Sequence, residues 1–271
     1  MELRIVVCAK QVPDPEGPPS AYEVDPVGRQ VTAKGLSPVI SPFDRNALEV
    51  AVRIKEETGA HITLLGAGPS HSKPVLLKTL AVGVDRAVLV EGPELEGSRS
   101  DSLVTARLLA AAIGRLDGFD LVLAGRQASD TNAGVVGLAL SALLGIPAVS
   151  VARDVKLEGR RIIVERVLPD GYEVVTAPLP ALVTVSHEAG ELRYPHLAAI
   201  RKAREIPVMV ISTSEPGFSP AAALVETVAL FPPDRERNCR LLEQEDQAEA
   251  GRELARRLRA EGVIPGGVHQ S

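Results

Sequence analysis

Leu121-Val-Leu-Ala-Gly-Arg-Gln-Ala-Ser-Asp-Thr-Asn-Ala-Gly-Val-Val-Gly137 decides how this chain folds. A short apolar run, Leu121 to Ala124, ends at Gly125, a polar loop follows, and an apolar segment then opens on Asn132, Gly134 and Gly137. The pattern reads as a buried strand, a ligand loop and a helix whose first turn carries little side-chain bulk. The N–H groups of such a turn lack intrahelical partners, and the helix dipole adds partial positive charge, so a phosphate fits there. The polar run from Arg126 to Asn132 has no evident structural task. The competing reading of Gly134 and Gly137 is close packing of helix on sheet.

Strands and helices alternate outward from this stretch. Leu3 to Ala9 reads as a buried strand, His61 to Leu65 as the next, Arg86 to Val90 as a third, and Leu121 to Ala124 as a fourth. Between them lie helices at Arg45 to Thr58, Ser72 to Val82 and Asp101 to Leu116, with Val135 to Leu144 following the fourth strand. Ser41-Pro42-Phe43-Asp44 supplies an N-cap, a first-turn proline and a first-turn acid; Gly59, Gly83 and Gly145 are stops. Alternation at this interval predicts an α/β, Rossmann-like open parallel sheet with helices on both faces. Asp25-Pro-Val-Gly28 predicts a hairpin. Val149 to Leu157, Arg161 to Leu168 and Tyr172 to Thr176, separated by short turn sequences, predict an appended antiparallel meander over 149–177. Ala181 to Val185 is a further buried strand.

Past Arg204 the periodicity weakens. Val208 to Ile211 and Leu224 to Leu230 read as strands that pair with something, another chain being one candidate. Glu243 to Glu261 reads as a charged helix with a narrow apolar stripe at Leu254 and Leu258. A nucleotide-binding domain over 1–212 and a C-terminal arm over 213–271 are therefore expected.

The 271 residues are 45% hydrophobic and 24% charged, with a net charge of −5. That balance disfavours nucleic acid or an anionic membrane as partner, and the absence of Trp disfavours a base-stacking platform. No apolar stretch reaches the length of a membrane span, and no signal segment opens the chain, so a soluble, cytoplasmic protein is expected. Cys8 and Cys239 stand in no metal-ligand spacing. Cys8-Ala-Lys-Gln-Val-Pro13 replaces the glycine-rich turn of the usual dinucleotide fingerprint, and no Walker loop occurs. His61, His71 and His187 pair with no nucleophile at a recognisable spacing, so neither a catalytic residue nor a metal ligand is assigned. Gly66-Ala67-Gly68-Pro69 reads as a loop at the same sheet edge as the Asn132–Gly137 turn. If it converges there with Ser41–Asp44, an adenosine lies across the strand ends.

These blocks together resemble the beta subunit of an electron transfer flavoprotein (the FixA-like family) over residues 1 to about 212. The resemblance rests on Cys8-Ala-Lys-Gln-Val-Pro-Asp14, Ser41-Pro-Phe-Asp44, Ala81-Val-Gly-Val-Asp-Arg86 and Gly125-Arg-Gln-Ala-Ser-Asp130 with Gly137. It rests also on Arg166 to Thr184 and on Leu192-Arg-Tyr194 through Lys202-Ala-Arg204. It implies a heterodimer with an alpha subunit that carries the redox FAD. That pair takes electrons from an acyl-CoA or related dehydrogenase and passes them to a quinone reductase or other acceptor. In this chain it implies bound AMP or, in the bifurcating branch, a second FAD that oxidises NADH, with AMP the leading reading.

By the same resemblance the cofactor-binding positions are Cys8, Ser41, Pro42, Phe43, Asp44, Ala67, Asp130, Thr131, Asn132, Ala133, Gly134, Val135, Val136 and Gly137. The partner-recognition segment is 192–204, with Arg193, Tyr194, Leu197, Ile200 and Arg201 as contacts and Leu197 as anchor; the C-terminal arm packs on the partner subunit. Val135 stands where the family usually has Gln, which leaves the phosphate to backbone N–H groups. Val136 and Lys10–Asp14 lean toward the flavin branch, whose Gly-Asp pair the loop lacks. A stand-alone nucleotide-binding regulator of the stress-protein kind is compatible with the α/β alternation, but needs neither meander, basic segment nor tail.

Overall fold

The structure, a computed structural model, describes residues 2–95, 101–218, 223–232, 239–242 and 246–264. Strand β1 (Arg4–Cys8) is followed by β2 (Gln11–Val12), the hairpin β3 (Tyr22–Asp25) and β4 (Gln30–Ala33), and β5 (Val39–Ile40). Then come α1 (Pro42–Thr58), β6 (His61–Gly68), α2 (Lys73–Leu80), β7 (Arg86–Glu91), α3 (Ser102–Ile113), β8 (Leu121–Gly125) and α4 (Val136–Leu144). The antiparallel meander β9 (Ala148–Glu158), β10 (Arg161–Leu168) and β11 (Gly171–Pro178) leads to β12 (Ala181–Val185), α5 (Leu197–Lys202), β13 (Val208–Ser212) and α6 (Gln247–Ala260).

One nine-stranded sheet runs in the order β11-β10-β9-β12-β8-β1-β6-β7-β13. Its strands from β9 across to β13 pair in parallel, and β10 and β11 extend it by antiparallel pairing. Alternate residues of β1 serve opposite cores. Ile5 and Val7 pack with α1 residues such as Leu48 and Ala51, whereas Val6 and Cys8 pack with α3 and α4 residues such as Leu109 and Leu140. Helices thus cover both faces, as parallel strands require. Left-handed glycines stop two of these helices: Gly59 at φ 75° after α1 and Gly145 at φ 66° after α4.

The structure overturns two expectations and completes a third. Gly66-Ala67-Gly68 is strand rather than loop: β6 stays paired to β7 through Gly68. Gly66 earns its place there by close packing, since a Cβ would stand 2.9 Å from His71 Nε2 and 3.2 Å from Leu89. Val208–Ser212 is the strand expected, and its partner is β7 of its own sheet rather than another chain. Leu224 to Leu230 is not a strand. The Asp101 carboxylate holds it by accepting from the N–H groups of Leu224 (2.6 Å) and Val225 (3.2 Å). The Arg29 guanidinium donates to Glu226 and to the Thr227 carbonyl.

The chain divides into two compact units, 1–231 and 232–271. The first therefore runs on past β13, with Phe218 buried under the Arg115 guanidinium at 4.2 Å from its ring centre. In the second, α6 is capped by the Asp246 side chain and carries no buried residue; of the expected helix, residues 243–245 lie outside the described residues. No helix among the described residues is long and apolar enough to cross a membrane.

Candidate nucleotide site

The chain steps from β1 to β6 and β7 on one side, then returns across β1 to β8 on the other. The carboxyl ends of β1 and β8 therefore flank a topological switch point, the crevice where open α/β sheets bind ligands. Helix α1 points its N-terminus into this crevice. Asp44 in its first turn is buried and bridges the two strand ends: Oδ2 accepts from the Lys10 N–H (2.8 Å) and Oδ1 from the Gly125 N–H (2.9 Å). Gly125 is required for that approach, because a Cβ would lie 2.7 Å from the Phe43 backbone and 2.6 Å from Asp44 Oδ1.

Burial pushes the Asp44 carboxyl up to about 7, against the downward pull of those two N–H groups and of the Lys10 ammonium. Burial, with a smaller push from Asp44, raises the Cys8 thiol to about 12. Cys8 therefore stays protonated at neutral pH and packs as a small apolar residue.

The loop after β8 is tied down at several points. The Arg126 N–H donates to the Val185 carbonyl, and its guanidinium lies 5.3 Å above the Phe43 ring. Lys10 pairs with Asp130 at 2.6 Å, and Gln127 donates to the Asn132 side chain at 2.8 Å. Asn132 (φ 51°) and Gly134 (φ 66°) both adopt left-handed backbone. The residues from Asp130 to Val135 are all exposed, so this turn is not plugged by its own side chains.

Helix α4 begins at Val136, later than the glycines suggested, so Asn132 and Gly134 form the approach to the helix rather than its first turn. Val135 sits at the N-cap position without a capping side chain, and the Ala139 N–H is bonded to its carbonyl. The N–H groups of Val136, Gly137 and Leu138 are those that helix geometry leaves without an intrahelical acceptor. Gly137 also serves packing: it is buried, and a Cβ would meet Thr184 Cγ2 at 2.7 Å, so α4 lies directly on β12.

Ser41 occupies the N-cap position of α1, but its hydroxyl makes no capping bond. Its Oγ, and that of Ser129 in the loop, are buried without a hydrogen-bond partner among the described residues. Both oxygens are shielded from solvent, and Ser41 is fully buried, so neither hydroxyl lines the open surface of the crevice. Ala67 stands on β6 beyond Leu65, the last residue of that strand paired to β1, and so at the same sheet edge. Spacing places Arg126 in the polar loop but reveals neither Lys10 nor Gly125 as part of the crevice, because their links to Asp130 and Asp44 join distant segments. Each lies within a motif that the family resemblance quoted.

The segment 192–204 lies elsewhere. Tyr194 and Leu197 are 89% and 79% exposed, Arg201 and Lys202 are exposed, and Ile200 is partly covered. The Arg193 guanidinium instead folds back on Glu49 and Glu56 of α1.

Comparisons with known proteins converge. A family model described as "Electron transfer flavoprotein domain" matches residues 30–216. An electron transfer flavoprotein subunit beta of Megasphaera elsdenii is 36% identical over 262 residues, covering 92% of this chain and 94% of the relative. The caffeyl-CoA reductase-Etf complex subunit CarD of Acetobacterium woodii is 37% identical over 221 residues, 81% of this chain and 82% of its own. Protein FixA of Azorhizobium caulinodans is 33% identical over 222 residues, 79% of this chain and 77% of its own.

Proposed function

As the chain belongs to the electron transfer flavoprotein family, where it is a beta subunit partnering an alpha subunit in electron transfer, we propose that it holds AMP as a structural nucleotide. One observation supports this most: the exposed Asn132–Gly134 turn, left-handed at both ends, follows β8 and leads into the first turn of α4, where helix geometry leaves N–H groups without intrahelical acceptors. The phosphate rests on those N–H groups, and the nucleoside extends toward Ser41–Asp44 and Ala67. Asp130, Asn132 and Lys10 hold the loop in shape and leave the anion to the backbone.

The redox chemistry is the flavin's, and that flavin is an FAD in the alpha subunit. What this chain supplies is binding and orientation. The exposed segment around Leu197 receives an acyl-CoA or related dehydrogenase, and a quinone reductase or other acceptor takes the electrons on. The C-terminal arm, whose helix buries nothing of its own, packs on the alpha subunit. The family match sets the stand-alone regulator aside.

A second reading is the bifurcating one, with FAD rather than AMP in this chain and NADH as reductant. Val136 at the helix start favours it. Acid extraction of the co-purified heterodimer, with the released molecules identified by mass, separates the two. One FAD and one AMP per heterodimer is the expected inventory. Two FAD and no AMP would replace the first reading with the second, and a single FAD with no adenylate would remove the nucleotide site from both.

A further inference from the structure

Helix α1 serves two ends of the molecule. Its first turn builds the nucleotide crevice, while Asn46, Glu49, Arg53 and Glu56 form a polar stripe along one face, spaced by three and four residues. Every member of that stripe grips the chain between Ala189 and Arg193. Asn46 Nδ2 donates to the Gly190 carbonyl, and Arg53 Nη2 donates to the Ala189 carbonyl at 2.7 Å. Glu49 is buried and accepts from the Arg193 backbone N–H (3.1 Å), from Nε (3.1 Å) and from Nη2 (2.8 Å). Glu56 accepts from Nη1 and from Nη2 (3.1 Å).

The docking segment beyond has little else to position it. Leu192 packs against the core on one side and Ala203 is buried on the other, but α5 between them buries no residue. It runs along an open groove bordered by Glu49, Glu56, Ala81, Val82 and Tyr194. A guanidinium held by two carboxylates is directional, because its planar fork fixes angle as well as distance. Its donors face inward, which leaves Tyr194, Leu197, Arg201 and Lys202 to meet a partner.

We propose that Arg193, riveted by Glu49 and Glu56, is a positioning residue: it does not touch the dehydrogenase but holds Leu197 in its docking pose before the partner arrives. This rests on the docking reading of 192–204. Fixing the loop in advance lowers the ordering cost of association, so its loss weakens encounter without altering the electron-transfer step that follows.

The test uses the co-expressed heterodimer carrying Arg193→Ala, Glu49→Gln, Arg193→Lys or Leu197→Ala. Amide hydrogen exchange over 190–202 is followed in each, together with turnover by a short-chain acyl-CoA dehydrogenase supplied with butyryl-CoA. Arg193→Ala and Glu49→Gln are expected to speed exchange in that segment about tenfold while nucleotide content stays at the wild-type level. The KM for the dehydrogenase should rise about tenfold with kcat within about twofold, Arg193→Lys should recover part of the loss, and Leu197→Ala added to Arg193→Ala should cost little more. Unchanged exchange in both Arg193→Ala and Glu49→Gln overturns the rivet. So does a raised KM in Leu197→Ala with none in those two variants. Faster exchange in them with no kinetic effect of Leu197→Ala keeps the rivet but removes the docking reading.

Discussion

Asp44→Ala is expected to destabilise the folded heterodimer by about 2–4 kcal/mol at mildly acidic pH, because it strands the half-buried N–H of Lys10 and the buried N–H of Gly125 together. That is a large share of the stability of an ordinary domain, and the thermal midpoint should fall by about 10 °C. The effect carries a pH signature. The folded-state value, about 7, lies above the ordinary 3.8. Between about pH 4 and pH 7 the folded chain therefore keeps a proton that the unfolded chain has lost. Stability from this group is complete below that window and is lost as pH climbs through it. The gap between wild type and Asp44→Ala should accordingly narrow as the pH is raised from about 5 to about 8. Denaturation midpoints that run parallel across that range would show that Asp44 is ionised throughout.

The second large effect separates binding from folding. Val135 is 48% exposed at the N-cap position of α4 and contributes no cap. Val135 lies at φ −103°, ψ −34°, right-handed helical backbone, so Val135→Asp adds a carboxylate at the positive end of α4 rather than a capping bond, and the nucleotide-stripped protein should stay within about 1 kcal/mol of wild type. The new carboxylate stands beside the N–H groups that receive the phosphate and repels it. At an effective dielectric suited to a partly exposed site, that is enough to weaken nucleotide retention about a hundredfold. A loop whose only role is structural would leave nucleotide retention unchanged. Gly137 is less informative: any side chain there collides with Thr184, so lost nucleotide and a displaced helix would be confounded.

The sheet and its helices were legible because the signals are local. β-branched runs, helical spacing and the stop glycines Gly59 and Gly145 announce themselves within a few residues, and the Asp25–Gly28 turn lies in the hairpin expected of it. What escaped depends on distant contacts. Gly66 and Gly68 have turn-like composition, yet the packing of Leu89 and His71 makes the glycine at 66 a strand residue. Leu224 to Leu230 has strand composition but lacks a ladder, since Asp101 and Arg29 take its backbone groups instead.

The same division runs through the site. The Asn132–Gly137 turn was visible as a stretch without bulk, although the helix starts after its first glycine. Spacing shows Asp44 as a first-turn acid and resemblance adds it to the cofactor positions; its bridge between β1 and β8 joins segments far apart in sequence. Arg193 was grouped with the docking contacts on resemblance, and nothing in its neighbourhood of the sequence reveals Glu49 and Glu56, which come from α1.

Selective 15N-glycine labelling of the beta chain offers the most direct measurement. Returning AMP to stripped heterodimer should move the Gly134 and Gly137 amide resonances and leave those of distant turns, such as Gly159 and Gly171, in place. Stoichiometric uptake of AMP with both the Gly134 and Gly137 signals unmoved would place the nucleotide elsewhere and contradict the account.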